Sequence, residues 1–182
     1  MRRMNLKLHS WIAILLLGAV FSLPAADKRK ELDASVNDAM GLFLKADDGM
    51  KKLFNGSVGY AIFPKVTKGG LGIGAARGTG QLFEKGRTIG EVKLTQVTIG
   101  LQAGGQIYAE VIFFENATTL KNFKEGNVEF SAQVGALAAA EGVSKNAKFE
   151  HGVLVFTLGK AGLMVEASVG GQKFDYLPYF GE

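Results

Sequence analysis

The 182-residue chain has no cysteine and only two histidines, three prolines and one tryptophan. The missing thiols exclude disulfides, a lipid-modified N-terminal cysteine, thiolate metal sites and cysteine nucleophiles together. Packing must then supply the stability. Histidine is nearly as scarce, because His9 falls in a leader-like segment and leaves His151 as the sole imidazole beyond it. One histidine without cysteine is a poor basis for a zinc site, and no serine stands in a G-x-S-x-G elbow. The acids Glu110, Glu115, Glu129 and Glu166 could in principle pair across strands as a glycosidase-like couple, but on exposed strand faces such residues are ordinarily solvated. No catalytic residue, cofactor or metal is expected, and the chain reads as a non-enzyme.

An excess of one charge sign is lacking too, once the first 26 residues are set aside. Arg2, Arg3 and Lys7 precede the apolar run WIAILLLGAVF and then SLPAA, the order of parts in a secretory leader. The run from Trp11 to Phe21 falls well short of the roughly 20 apolar residues a transmembrane helix needs. Cleavage after Ala26 leaves Pro24 at the minus-three position and cleavage after Ala25 leaves Leu23 there, so an uncleaved, membrane-tethered minority is compatible with the sequence. Arg2-Arg3 also loosely fits a twin-arginine signal, although the strongly apolar run suits the general secretory route better. The expected division is a signal peptide over 1–26 and a single domain over 27–182, exported to the periplasm or associated with the envelope membrane. The chain carries 21 Lys+Arg against 17 Asp+Glu, so losing three basic residues leaves 18 against 17, a net charge of +1. Bulk charge therefore gives no support to nucleic acid as a partner.

Glycine, by contrast, is abundant: there are 25, twice an ordinary share of about 7%. Six fall in KGGLGIGAARGTG, residues 68–80, which contains the G-x-G-x-x-A spacing of a dinucleotide loop. Such a loop must open a helix whose free N–H groups hold a pyrophosphate. Here Gly78, Gly80 and Lys85-Gly86 break up any helix that would follow, and no βαβ alternation appears downstream. The glycines instead alternate with Leu71, Ile73 and Ala75, which reads as strand with room for close approach on one face.

Periodicity orders the rest. Leu32, Val36, Met40, Phe43, Ala46, Met50 and Leu53 recur at three- and four-residue steps, which predicts an amphipathic helix from Asp27 to about Phe54, weakened by Gly41 and Gly49. After Ser57 the period becomes two. Strands are expected over Val58–Phe63, ended by Pro64, then over 71–75, Gln81–Glu84 and Thr88–Val92 about a Lys85-Gly86 turn. Further strands are expected at 97–101 and, after a Gly104-Gly105 turn, at Ile107–Phe114. Asn116 is a plausible helix cap, with Leu120 and Phe123 on the buried face of a short helix. Strands over 128–140, Val153–Leu158 and Leu163–Phe174 complete a β-meander.

Surface chemistry is what remains for function. Lys51 and Lys52 close the amphipathic helix, while Lys65 and Lys68 lie just beyond the first strand. The two pairs flank 56–64 and would offer ammonium groups to phospholipid head groups from one end of the molecule, each worth about 1 kcal/mol near an anionic surface. The helix would supply an apolar face. The plainer reading is that the helix covers an open end of the sheet and the lysines are solvated.

The blocks GYAIFPKVTKGGLGIG, LTQVTIGLQAGGQIYAEVIFFEN, GNVEFSA and GVLVFTLGKAGLMVEASVGGQKFDY resemble, in order, those of the SYLF domain family. The resemblance implies a single mainly β domain that binds phospholipid through an N-terminal amphipathic segment and nearby basic residues, here Lys51, Lys52, Lys65 and Lys68. It also implies links to actin in some eukaryotic relatives, which an exported chain would not meet. The expected architecture is an antiparallel β-barrel or sandwich with an N-terminal amphipathic helix and one short helix between strands. The expected function is non-enzymatic phospholipid binding at the bacterial envelope. The alternative is a structural or protein-interaction module of the envelope, its partner unknown, with incidental lipid contact.

Overall fold

The structure, a computed structural model, describes residues 25–127, 143–160, 162–166 and 171–180. Residues 1–24, which hold most of the expected signal peptide, and the strand expected over 128–140 lie outside the described residues. Helix α1 spans Ala25–Ala46. Its stripe of Val36, Ala39 and Phe43 is buried, as the three- and four-residue spacing requires. The expected single helix is in fact two. Asp47-Asp48-Gly49 interrupts it, and α2 runs over Met50–Gly56. The break is built by Asp47, whose carboxylate accepts the Gly49 N–H at 2.8 Å. A side chain that bonds its own backbone two residues on competes with the helix, and here it wins.

The meander of short strands is replaced by one long hairpin. Strand β1 spans Gly59–Glu84 and β2 spans Arg87–Phe114, paired antiparallel from Gly59↔Phe114 to Glu84↔Arg87. Lys85 and Gly86 both have positive φ, 51° and 73°, the requirement of the tight two-residue turn expected there. Pro64 does not stop the strand. It falls where the register shifts between Phe63 and Val66, a bulge in which its missing N–H costs no ladder bond. Gly104-Gly105 does not turn either, because those residues pair with Gly70 and Gly69 across the ladder. The residues 70–80 lie wholly within β1, so the glycine-rich segment is strand and opens no helix.

The hairpin folds back on itself. Between Leu71 and Ile73 on β1 the partner positions jump from Ala103 to Ile99, a bend that separates each strand into two arms. Beyond it the second arm of β1 returns along the first: a Cβ on Gly80 would strike the Ile62 carbonyl, and one on Gly78 would lie 3.0 Å from the Val66 side chain. Glycine is thus required for this contact, as the strand reading anticipated. Between the arms lies one core, with Phe63, Val66, Ile112 and Phe114 meeting Ala76, Leu82, Val92, Leu94 and Phe174. The opposite face of the first arm carries Tyr60, Ile62, Val111 and Phe113, and α1 and α2 cover it with Val36, Phe43 and Met50.

Helix α3, Ala117–Lys124, plugs the end of the inner core with Leu120 and Phe123. Asn116 caps it as expected, accepting the Thr119 N–H at 2.9 Å. A one-turn helix α4 spans Val143–Asn146. Strand β3, Val153–Gly159, adds to the first arm of β2, and β4, Gly162–Glu166, adds to β3. Strand β5, Gln172–Pro178, pairs instead with the second arm of β2. The expected strand from Leu163 to Phe174 is therefore two strands in different places. The result is a mainly antiparallel, folded-over sheet of sandwich type with α1 across it. It runs β1-β2-β3-β4 with β5 on β2, and among the described residues it does not close into a barrel.

Candidate functional site

Where α1 crosses the junction between the two arms of β1, it leaves an open cleft of about 690 Å³ beside the sheet. Three strand segments supply its floor, and each contributes the same pattern. Lys65-Val66-Thr67, Arg77-Gly78-Thr79 and Lys93-Leu94-Thr95 all read basic, small or apolar, threonine. A two-residue side-chain period explains the result: the middle residue of each triplet turns to the core and the outer two stay exposed. Val66 and Leu94 are buried accordingly. Register then interleaves the triplets, setting Arg77 opposite Thr95 and Thr79 opposite Lys93. Directly opposed side chains have Cβ atoms about 5 Å apart, so the cations and hydroxyls alternate over one small area. The wall of the cleft is the α1 face of Leu32, Ser35, Asp38 and Leu42.

The charge in this cleft is unbalanced. Among the described residues neither Lys65, Arg77 nor Lys93 forms an ion pair; the pairs present are Lys121–Glu125 and Lys124–Glu84. Asp38 is the one acid lining the cleft.

Of the four lysines expected to bind head groups, Lys65 lines this cleft. Lys51 and Lys52 are exposed on α2, and Lys68 is half-buried farther along β1. Sequence reasoning passed over Arg77, Lys93 and the three threonines. The repeated triplet was visible in the chain, but nothing local says that segments 28 residues apart share a surface.

The apolar face of α1 is committed to the sheet, which is what the plainer reading of that helix holds. Phe43 is fully buried, and the larger side chains left outside are Leu42 and Leu44, on opposite flanks of the stripe. Two polar clasps hold the helix down. At its start, Gln81 donates to Asp33 and to the Tyr179 hydroxyl, and the Arg29 guanidinium stacks 3.8 Å from the centre of the Tyr179 ring. Burial pushes the Tyr179 phenol up, opposed by the Gln81 hydrogen bond. At its end, Asp47 accepts the Ser144 N–H at 3.0 Å and the Ser144 hydroxyl at 2.6 Å, fixing α4 to the α1–α2 break. Burial by itself would raise the Asp47 carboxyl, but the Ser144 and Gly49 donors and the Lys145 charge outweigh it and hold it below the ordinary range.

Glu110, one of the four acids considered above and expected on an exposed strand face, is instead fully buried on β2 and accepts a hydrogen bond from the Gln172 amide at 3.3 Å. His151 occupies the exposed turn before β3 with φ 51°. No group of three or more histidine or acidic side chains among the described residues could hold a metal ion.

The Ysc84 family model, described as Las17-binding protein actin regulator, matches residues 95–176. The match is a Ysc84 (SYLF) domain hit confined to that stretch. A curated relative, beta cell expansion factor A of Aeromonas veronii, is 26% identical over 157 residues, covering 82% of this chain. The chain spans 58% of that relative's length. The matched SYLF stretch begins at Thr95 in the cleft and runs through β3, β4 and most of β5, so it takes in three of the four sequence blocks on which the resemblance rests. The match supports a module of lipid-binding or actin-regulator type.

Proposed function

We propose that this chain is a non-enzymatic phospholipid-binding module, exported by its N-terminal segment and working at the bacterial envelope membrane in the periplasm. The observation that carries the reading is the group of Lys65, Arg77 and Lys93, which form no ion pair among the described residues and stand open to solvent beside the exposed Leu42, just ahead of the stretch that matches the SYLF model. Cations held in no ion pair are free to meet head-group phosphates, each worth about 1 kcal/mol at an anionic surface. The docked α1 changes how the apolar part works. With Val36, Ala39 and Phe43 inside the core, insertion rests on flanking side chains such as Leu42 rather than on a free helix face.

The test is co-sedimentation of the chain with phosphatidylcholine vesicles, with and without anionic lipid. Replacing Lys65, Arg77 and Lys93 with Glu should abolish sedimentation with anionic vesicles; sedimentation that persists unchanged overturns the reading. The competing role, an envelope protein-interaction module, draws on Val97, Ile107 and Phe180, which are 62%, 60% and 70% exposed. It predicts that charge reversal leaves vesicle association untouched, whatever its level.

A further inference from the structure

We infer that the cleft between α1 and the folded hairpin binds a single phosphomonoester dianion, with the Lys65, Arg77 and Lys93 triplets as its cradle. This deepens the phospholipid reading and rests on it for the membrane source of the ligand. The argument is one of charge and donor count. Three cations against Asp38 leave the lining with a formal charge of 3 − 1 = +2. The next pair outward cancels, since Lys93 and Thr95 face Asp175 and Lys173 on β5. A phosphomonoester carries about −1.5 to −2 near neutral pH, whereas a diester carries one charge. The monoester also presents three terminal oxygens, and the cleft presents three cationic groups with the hydroxyls of Thr67, Thr79 and Thr95 between them. Arginine's planar fork suits two of those oxygens at once, and the lysines act as point charges on the third.

The geometry is held from beneath. Gly78, at the centre of the Arg77 triplet, lets the Lys65 segment lie against it, with the Lys65 carbonyl oxygen 3.3 Å from where a Cβ would stand. The cradle is therefore set by the backbone of two strand arms, and its cations need no loop to order before they converge. A diffuse basic surface would rank anionic lipids by charge density alone. This one should distinguish a monoester from a diester at equal charge.

The experiment compares the intact chain and its variants against three probes: soluble glycerol 3-phosphate, phosphatidylcholine vesicles containing phosphatidic acid, and vesicles containing phosphatidylglycerol at matched surface charge. The expected result is preference for phosphatidic acid, lost on Arg77→Gln or Lys93→Gln by about 10- to 100-fold, the range for hydrogen bonds to a charged group. Asp38→Asn should strengthen binding, a gain that misfolding cannot imitate. Binding of glycerol 3-phosphate that is Arg77-dependent, without vesicle binding, supports the cradle with a soluble ester as its ligand and sinks the phospholipid reading. Equal binding of the two anionic vesicles, unaffected by Arg77→Gln, overturns the cradle and leaves the phospholipid reading standing. Absence of binding to all three probes overturns both.

Discussion

Replacing Asp47 with alanine is the sharpest test of how α1 is held. Its carboxylate takes three donors, the Gly49 N–H at 2.8 Å and the Ser144 N–H and hydroxyl at 3.0 and 2.6 Å. At about 1 kcal/mol net for each bond lost, the substitution should cost about 3 kcal/mol. For a chain of this size that lowers the melting temperature by about 6–12 °C, at 2–4 °C per kcal/mol. Asp47→Asn keeps one acceptor oxygen but turns an NH2 group towards a donor, so it should cost about 2 kcal/mol. Ser144→Ala removes only the hydroxyl bond and should cost about 1 kcal/mol. Because the partners are shared, the two alanine substitutions together should cost less than their sum. The pH dependence supplies an independent check. The folded carboxyl is held below its unfolded value, so its stabilisation is complete above the unfolded pKa of about 3.9. It is lost as pH falls through the folded value. Thermal melts of parent and Asp47→Ala should therefore diverge at pH 7 and converge in acid below about pH 4. Curves that coincide at pH 7, or a gap that stays constant into acid, would refute the clasp.

Glycine substitutions should have opposite signs according to position. Gly80→Ala drives a methyl into the Ile62 backbone and the Phe63 ring and should cost over about 2 kcal/mol; a denaturation midpoint equal to the parent's would remove the close-approach argument. Gly41→Ala, inside the last third of α1 with open space around the added methyl, should stabilise by up to about 1 kcal/mol in the same assay. Arg29→Ala loses the stack on Tyr179 and should cost about 0.5–1 kcal/mol, read as faster proteolysis near residue 30; unchanged cleavage would show that the clasp does not restrain the start of α1. Association with anionic vesicles should weaken only in part as salt rises, because screening acts on the exposed cations and not on apolar contact. Complete loss at moderate salt would leave no role for Leu42.

Local chemistry was legible in the sequence wherever it decided local structure. The spacing of Val36 and Phe43 gave the helix face, Lys85-Gly86 the hairpin turn, and Asn116 with Leu120 and Phe123 the capped plug. Pro64 and Gly104-Gly105 misled for a shared reason. Each carries a strong local turn signal, yet a bulge accommodates one and facing glycines on the partner strand accommodate the other. Neither partner is visible from the residue itself. The cleft was hidden in the same way. Lys65, Arg77 and Lys93 occupy separate segments, and only the bend near Leu71 and the missing side chain at Gly78 bring the first two together. Lys51 and Lys52 close the amphipathic helix and flank 56–64 together with Lys65 and Lys68, but nearness along the chain says little about adjacency on a folded sheet.

One hairpin builds both layers of the domain, and this bears on how the chain reaches its native state. Glu84 and Arg87 need close only a three-residue span, whereas Gly59 and Phe114 must find one another across 114 − 59 = 55 positions. Closure entropy rises with that separation, so pairing should propagate outward from Lys85-Gly86 like a zip, the layers meeting only after the bend has been passed and α1 locking down last. Pulse-labelled amide exchange should then protect the second arm before the first. The arm that carries two of the three triplets would thus be the earliest part of the molecule to take shape.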